Sequence, residues 1–200
     1  MEKRRRKRGI LFLVLGIVLI SLAGGWYLVN LREDKSAGQQ AEALLDEVNE
    51  QLRQQQQNSE QAEDTDPALV VAEEAFCGKI LIGKLGVELP VYQDWTYEKL
   101  KKSPCRYAGS VLTDDMIIAA HNYKSHFGNL KELEVNDSII FVDAKGTAHN
   151  YVVKAITTLD GTAVEDMVSG EWDFTLFTCT RGGEQRVTVR CDRAIGEVIR

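Results

Sequence analysis

The fold of the chain is decided by the run FTLFTCTRGGEQRVTVR, which occupies residues 174–190. Both halves of the run are rich in β-branched residues, and the glycines Gly182 and Gly183 lie between them. Two such halves joined by a short glycine-containing loop are typical of a β-hairpin. The run therefore predicts two paired strands, Thr175–Thr178 and Arg186–Arg190.

Five further runs of this kind precede the hairpin, at residues 79–82, 87–92, 116–120, 138–142 and 149–156. Many of them are bounded by Gly, Asp, Asn or Pro, which favour turns. Among these runs, short helical turns are predicted at residues 95–102 and 124–134. Seven or eight strands with so little helix predict a mainly β fold whose sheet closes, or nearly closes, into a barrel.

A basic segment and a long apolar segment open the chain. Residues 3–8 are all Lys or Arg, and residues 10–29 contain no charged side chain. A helix of about 20 apolar residues crosses the hydrocarbon core, and the positive-inside rule places the basic end in the cytoplasm. Ser21-Leu22-Ala23 also resembles a signal-peptide cleavage site, but the apolar run is longer than a signal-peptide core. We therefore expect a retained single-pass anchor, with the rest of the chain outside the cell.

These patterns divide the chain into four segments. Residues 1–8 are expected to form a cytoplasmic basic tail, and residues 9–30 a transmembrane signal-anchor. Residues 31–70 are expected to form a polar helical stalk with a flexible end from Gln54, which acts as a plain spacer. Its helix is indicated by apolar residues at helical spacing, namely Ala41, Leu44, Leu45, Val48 and Leu52. Residues 71–200 are expected to form the extracellular catalytic domain.

Charge excludes one class of function, whereas the cysteines leave several possibilities open. The formal net charge is −6, so no overall basic field favours nucleic-acid binding. In an exported chain, disulfides are the default for the four cysteines Cys77, Cys105, Cys179 and Cys191. A free nucleophile would leave three that cannot all pair, and a Cys105–Cys191 bridge is one possibility. The spacings fit neither a zinc ribbon nor a C-x-x-C redox motif.

Three residues that can perform chemistry lie at the ends of predicted strands. Cys179 ends the first strand of the hairpin, Arg186 begins the second, and His121 follows the strand at residues 116–120. A cysteine attacks as the thiolate, which a nearby cation stabilises, and acyl transfer also needs a base and a group that stabilises the oxyanion. These residues indicate a cysteine-dependent acyl transferase, with Arg181 as an alternative to Arg186.

Each of these residues also has a structural alternative. Cys179 fits an inert small apolar residue, His121 a hydrogen-bonded structural histidine, and Arg186 a solvated strand residue. A zinc site made of His121, His126 and Cys179 is disfavoured, because the H-x4-H spacing matches no common pattern. His149, which begins a strand after a turn, is expected to be solvated.

Four short motifs of the chain occur together in one known family. They are TLFTCT at residues 175–180 followed by RVTV at 186–189, AAHNY at 119–123, ILIGKLGVELPVY at 80–92, and YAGS at 107–110. In combination they resemble the sortases, and the resemblance spans about residues 77–193. It implies a closed eight-stranded sortase-type β-barrel with short helices, in which His121, Cys179 and Arg186 are catalytic.

The resemblance also implies a reaction and its partners. Cys179 would cleave an LPxTG-like sorting motif of a surface protein through a thioester, and His121 would serve as acid and base. The acceptor would be an amine of a peptidoglycan precursor or another protein. No cofactor is expected, although some relatives use calcium and the acidic residues Glu132, Glu134 and Asp137 lie in a suitable region. The alternatives are a membrane-anchored cysteine peptidase and a non-catalytic surface assembly module.

The subclass within the family stays open at this point. The T-L-x-T-C spelling is similar to class B members, but the connection Leu159–Asp173 is too short for their long helical insertion. Pilin-polymerising members resemble one another in an aromatic lid, and no aromatic residue occurs at Asp66-Pro67-Ala68.

Overall fold

The computed structural model describes residues 2–58, 68–71 and 73–194. The chain divides into two compact units, Met1–Ser36 and Ala37–Arg200. Its first helix, α1, spans Glu2–Asn58. In the first unit, the part of α1 from Leu11 onward is long and apolar enough to cross a membrane, and its apolar side chains are exposed. This finding fits the membrane anchor that the sequence predicts.

Nine strands of the second unit form one sheet. They are β1 (Leu69–Val71), β2 (Glu74–Ile82), β3 (Val87–Tyr92), β4 (Cys105–Ala108), β5 (Met116–Ala120), β6 (Ser138–Asp143), β7 (Ala148–Asp160), β8 (Phe174–Cys179) and β9 (Gln185–Arg193). Their order is β1-β2-β3-β4-β5-β8-β9-β7-β6, and β6 pairs back with β2. The eight strands β2–β9 therefore close into a barrel, which confirms the predicted fold class, and β1 adds a short edge to β2.

Two of the strand pairings in the barrel are parallel, namely β3–β4 and β5–β8. The other pairings are antiparallel, including the β8–β9 hairpin that the sequence predicts. Neither β1 nor β4 was predicted. Both are very short, with three and four residues, and β3 and β4 share the single pair Tyr92↔Cys105.

The barrel interior is filled by apolar side chains from alternating strand positions. In β6, Ile139 and Phe141 point inward and are 0% and 1% exposed. The rings of Tyr151 and Phe174 stack at 4.2 Å between centroids, and Phe141 lies 6.0 Å from Phe174. Such close aromatic packing adds to the free energy gained by removing these rings from water.

The second half of α1 packs against the barrel. Val48 and Leu52 are buried in one apolar cluster with Leu69 and Phe76, and Ala41 joins the barrel core. The sequence correctly predicts this amphipathic helix, but the helix continues to Asn58 and is not the plain spacer that was expected. The reason is that β1 and β2 offer an apolar surface on the outside of the barrel. Asp66 and Pro67, where an aromatic lid was considered, lie outside the described residues.

Short helices lie in the connections between strands. Helix α2 (Tyr97–Lys102) begins after Thr96, whose hydroxyl accepts from the backbone N–H of Lys99 at 3.1 Å. Helix α3 (Val164–Met167) was not predicted and is the only helix in the β7–β8 connection. In the predicted helical region 124–134 the structure has turns and a 3-10 helix at Leu130–Glu132, and a second 3-10 helix spans Gly83–Leu85.

The prediction that His149 is solvated is wrong. Its Nε2 lies 2.8 Å from Asp143 Oδ2, and Arg193 Nη1 lies 3.0 Å from its Nδ1. Because a guanidinium can only donate, Nδ1 accepts and Nε2–H donates to the carboxylate. Arg193 also donates to Asp114, so this chain of polar contacts ties β6, β7 and β9 to the β4–β5 loop.

The carboxylate of Asp143 makes this end of the barrel sensitive to pH. Burial alone would raise the pKa of Asp143, but hydrogen bonds from His149, Thr147 and Lys145 outweigh it and lower the pKa below its ordinary value. A group whose pKa is lower in the folded state adds stability above its unfolded pKa, about 3.9. That stability is lost as the pH falls through the folded value.

We expect Asp143→Asn to lower the free energy of unfolding by about 1–3 kcal/mol at pH 7, because the charged acceptor is removed. The difference from wild type should shrink as the pH falls below about 3.9, because the unfolded state then binds the proton more readily than the folded state does. Urea unfolding of the full chain in detergent at pH 7 and at pH 3 measures both values. Asp46→Asn, at an exposed site on α1, is the control and should change stability by less than about 0.5 kcal/mol. A deficit of equal size at both pH values would contradict the assignment.

Candidate active site

Strands β5 and β8 bring His121 beside Cys179. The two strands are parallel and in register from Met116↔Phe174 to Ala120↔Thr178. The Thr178 hydroxyl donates to the carbonyl of Ala120 at 2.8 Å, which holds this register at its end. Parallel strands end at the same edge of a sheet. His121 follows Ala120 and Cys179 follows Thr178, so both residues lie at one edge of the barrel.

The β8–β9 hairpin adds Arg186 to the same edge. Cys179 and Arg186 are direct partners in the antiparallel register. Together with His121 they line one cavity of about 230 Å³. The structure thus brings together all three residues that the sequence singled out, whereas Arg181 lines a different cavity. This geometry favours Arg186 over Arg181 as the cation of the first cavity.

The guanidinium of Arg186 is oriented by its own hairpin. Its Nη1 donates to the carbonyl oxygens of Gly183 at 2.8 Å and Gln185 at 3.1 Å. Gly183 has a φ of +75°, a conformation that glycine adopts without strain, and this lets its carbonyl face the guanidinium. Nη1 uses both of its hydrogens here, so Nη2 and Nε remain to meet a ligand in the cavity.

Aromatic rings form one wall of this cavity, and the sequence reasoning missed them. The rings of Tyr107 and Phe177 meet edge to face at 5.3 Å, and Trp95 lies 5.8 Å from Tyr107. Trp95 is 42% exposed although it is large and apolar. Exposed aromatic residues around a concave site are typical of ligand pockets. Three aromatic residues, Trp95, Tyr97 and Tyr107, lie within a short segment of the sequence, and this clustering was the signal that could have predicted them.

Helix α3 also lines this cavity, and a buried arginine holds the helix in place. Val164 and Met167 line the cavity. Arg190 on β9 is 6% exposed and donates to the carbonyls of Met167, at 3.0 Å, and Asp166. It also donates to the hydroxyl of Thr175 at 3.0 Å. A guanidinium with several fixed acceptors is a rigid clamp, so Arg190 fixes the position of α3 relative to the barrel.

None of the four cysteines, all within the described residues, forms a disulfide, so the possible Cys105–Cys191 bridge is not formed. Cys77, Cys105 and Cys191 are buried at 4%, 0% and 0% exposure, whereas Cys179 is half-buried and lines the cavity. Burial raises the pKa of Cys105 to about 12 and also raises the pKa of Cys191. These two thiols are therefore protonated and unreactive at neutral pH.

A zinc site made of His121, His126 and Cys179 was considered from the sequence. Among the residues that the structure describes, no three His, Cys, Asp or Glu side chains are grouped to hold a metal. Of the three acidic residues considered for calcium, Glu134 and Asp137 both contact Lys84. The Lys84 Nζ lies 2.6 Å from Glu134 and 3.0 Å from Asp137.

Comparison with known proteins gives the family of this barrel. The sortase domain model matches residues 80–194, which is more than half of the chain. The chain therefore belongs to the sortase family, whose members are cysteine transpeptidases of the cell surface. No curated protein sequence matches the chain.

Several solved structures share the fold. Sortase C1 from Streptococcus agalactiae is 21% identical, with a TM-score of 0.56 over 76% of this chain and 91% of that one. The Clostridium perfringens sortase D5 transpeptidase is 18% identical, with a TM-score of 0.59 over 78% and 99%. Clostridium perfringens sortase C, solved with the C-terminal cell wall sorting motif, is 22% identical, with a TM-score of 0.53 over 78% and 90%.

We expect a thiol alkylator at neutral pH to label Cys179 alone in the folded chain, because the other three thiols are buried. Peptide mapping by mass spectrometry after a short pulse of iodoacetamide measures the labelling at each site. The same pulse in guanidinium chloride is the control, and all four cysteines should then react. Equal labelling of the four sites in the folded protein would contradict the assignment of Cys179 as the reactive thiol.

We expect Arg190→Met to lower the free energy of unfolding by about 2–3 kcal/mol, since buried carbonyl acceptors lose their donor. Hydrogen exchange of the segment 161–172, followed by mass spectrometry, should rise because α3 loses its clamp. Arg190→Lys keeps the charge but lacks the several fixed N–H donors of the guanidinium. Its stability and its exchange should therefore lie between those of wild type and Arg190→Met. Unchanged exchange in this segment would show that α3 is held by other contacts.

Proposed function

We propose that this sortase cleaves an LPxTG-like sorting motif and transfers the protein that carries it to an amine of a cell-wall precursor. The observation that supports the proposal is that His121, Cys179 and Arg186 line one cavity at the edge of the barrel. A nucleophile, an acid–base group and a cation that faces the developing oxyanion are what acyl transfer requires.

In the first half of the proposed reaction, the Cys179 thiolate attacks the carbonyl carbon of the scissile peptide bond. A C–S bond forms, and the negative charge moves to the carbonyl oxygen. His121, as the imidazolium, then donates its proton to the leaving amine as the C–N bond breaks. The products of this half are a thioester on Cys179, a neutral His121 and a free amine.

In the second half, the acceptor amine attacks the thioester carbonyl. A new C–N bond forms, the C–S bond breaks, and Cys179 leaves as the thiolate. The neutral His121 takes the proton of the acceptor amine and becomes the imidazolium again. The reaction therefore returns the enzyme to its starting state, and its steps use side chains without a metal or other cofactor.

Arg186 is the proposed cation for the oxyanion. Its Nη1 donates to the carbonyl oxygens of Gly183 and Gln185. These hydrogen bonds orient the guanidinium and leave the N–H groups of Nη2 and Nε to bind the oxyanion. A donor that is already oriented costs little reorganisation when charge develops on the oxygen. The direct pairing of Cys179 with Arg186 across the hairpin supports this role.

The walls of the cavity support an extended peptide as the ligand. The aromatic wall of Trp95, Tyr107 and Phe177 and the apolar side chains of Val164 and Met167 suit the apolar residues of a sorting motif. Clostridium perfringens sortase C, which shares this fold, was solved with a cell wall sorting motif. We extend that class of substrate, sorting-signal-bearing surface proteins, to this chain.

The proposed location follows from the N-terminal helix. Its apolar part suits a membrane anchor, and the basic residues 3–8 favour a cytoplasmic N-terminus. The barrel would then lie outside the cell, where both the surface proteins and the cell-wall precursors are accessible.

We expect Cys179→Ala to abolish thioester formation, and His121→Ala and Arg186→Ala to lower its rate by about 10²–10³-fold, the effect of losing a proton-transfer or oxyanion group. The assay incubates the full chain in detergent with an LPxTG peptide and follows the thioester by intact-protein mass spectrometry. Arg181→Ala tests the alternative cation and should reduce this step far less than Arg186→Ala does.

Product analysis with and without triglycine separates transfer from hydrolysis. A ligated peptide is the expected product when triglycine is present, with free acid as the product in its absence. If only free acid formed at every triglycine concentration, the chain would be a cysteine peptidase. If Cys179→Ala processed the peptide at the wild-type rate, a role for this thiol would be excluded.

A further inference from the structure

The loop that follows strand β5 places two aromatic rings in series beside His121. We call residues 121–130 the histidine loop. The ring of Tyr123 lies 5.1 Å from the ring of His121 between centroids, at an interplanar angle of 39°. The ring of His126 meets the other ring of this pair, that of Tyr123, edge to face at 5.5 Å. The imidazole of His121 is therefore one end of a row of three contacting rings.

The far end of this row is fixed inside the protein. His126 is 0% exposed, and the nearby Phe127 and Leu130 are also 0% exposed and belong to the core of the barrel. A ring that is buried in a close-packed interior has little freedom to turn. The ring of His126 therefore gives a fixed support to the half-buried ring of Tyr123.

The backbone of the histidine loop folds tightly onto its own beginning. The N–H groups of His126 and Gly128 donate to the carbonyl of Tyr123 at 3.0 and 2.8 Å. The N–H of Phe127 donates to the carbonyl of His121 at 3.3 Å. Gly128 comes so close that an added Cβ would lie 2.7 Å from the carbonyl oxygen of Tyr123, an approach that glycine alone allows. The turn that carries Tyr123 is therefore formed before any ligand binds.

Helix α1 packs against the same loop. Ala37 and Ala41, one turn apart on α1, are 2% and 1% exposed. Between them, a Cβ added at Gly38 would lie 3.0 Å from the Cβ of Ser125, the residue before His126. The backbone of α1 thus comes close to the histidine loop and restricts its movement.

Tyr123 contacts His121 but does not line the cavity in which the reaction is proposed. His121, Cys179 and Arg186 line that cavity, whereas Tyr123 does not. An effect of Tyr123 on the reaction must therefore act through the imidazole of His121. Such an effect changes the rate of the chemical step and leaves the binding of the peptide largely unchanged.

We propose that Tyr123 is a positioning residue, whose ring holds the imidazole of His121 in the orientation that serves Cys179. The inference rests on the proposed acid–base role of His121 and adds the group that fixes its ring. A histidine side chain turns about two bonds, and only some orientations bring a ring nitrogen to the leaving amine. Because a ring packed against the imidazole excludes other orientations beforehand, less order has to be created in the transition state.

The first test replaces the ring and then restores it. Tyr123→Leu should lower the maximal rate of thioester formation by about 3–10-fold, the range that one aromatic pair contributes. The half-saturating concentration of the LPxTG peptide should stay at the wild-type value, because Tyr123 does not line the cavity. Tyr123→Phe keeps the ring and should keep the wild-type rate. Single-turnover kinetics of the full chain in detergent, followed by intact-protein mass spectrometry, measure both quantities.

The second test observes the ring of His121 without the reaction. The chain has three histidines, so ¹H–¹³C spectra of the full chain with labelled histidine contain three sets of ring signals. Loss of one set in His121→Gln assigns the signals of His121. They should move in Tyr123→Leu, because the neighbouring ring current is lost, and stay near their wild-type positions in Tyr123→Phe. His149, held by Asp143 and Arg193, is the internal control and should not move.

Phe141→Leu is the matched control for a loss of stability. Phe141 is 1% exposed in the core of the barrel and does not line the cavity of Cys179. Its replacement should lower the urea midpoint but leave the maximal rate and the His121 signals at their wild-type values while the protein is folded. If this variant lost as much rate as Tyr123→Leu, the effect of Tyr123 would be one of general stability and the positioning role would be refuted.

The outcomes separate this inference from the proposed function. If wild type forms no thioester, the proposed function fails, and unchanged His121 signals in Tyr123→Leu would still refute the ring contact. If wild type forms the thioester and Tyr123→Leu keeps the wild-type maximal rate, the positioning role is refuted while the proposed function stands. The positioning role is equally refuted if Tyr123→Phe loses as much rate as Tyr123→Leu, because the hydroxyl and not the ring would then be responsible.

Discussion

The parallel pairing of β5 with β8 is the constraint on which the site depends. It joins residues that are 58 positions apart. The Thr178 hydroxyl donates a hydrogen bond to the Ala120 carbonyl, and this bond fixes the last residue pair of the two strands. A slip of one residue would turn the side chains of β8 to the other face and separate Cys179 from His121. The closed barrel prevents such a slip, because β9 holds β8 from the other side through six residue pairs.

Local patterns were sufficient to predict the hairpin and therefore the proximity of Cys179 and Arg186. They could not predict the partner of β5, since parallel pairing leaves no turn signal and connects distant segments. The family resemblance supplied that contact. Strand β4 was missed for a related reason, because its four residues include Arg106 and it meets β3 through one pair. The catalytic roles of the three residues stay predictions.

Sequence reasoning predicted that His149 is solvated, and it made no prediction for the buried Arg190. His149 and Arg190 lie on strands where a charged or polar residue is usually solvated. Their partners come from far along the chain: Arg190 donates to Met167, and Arg193 connects His149 to Asp114. A buried guanidinium is stable only when such acceptors surround it. Because those acceptors lie in the connections between strands, the strand pattern alone carries no sign of them.

The position of Cys179 in the first cavity links the choice of peptide to the proposed reaction. The first cavity is lined by aromatic and aliphatic side chains, including Val164 and Met167 of α3, and in the proposed reaction these select apolar residues of the peptide before the thioester forms. Water and an amine then compete for the same carbonyl carbon, and an acceptor held in place gains an advantage through effective concentration. In the proposed reaction, the choice between transfer and hydrolysis therefore depends on how closely the acceptor amine is held to the thioester.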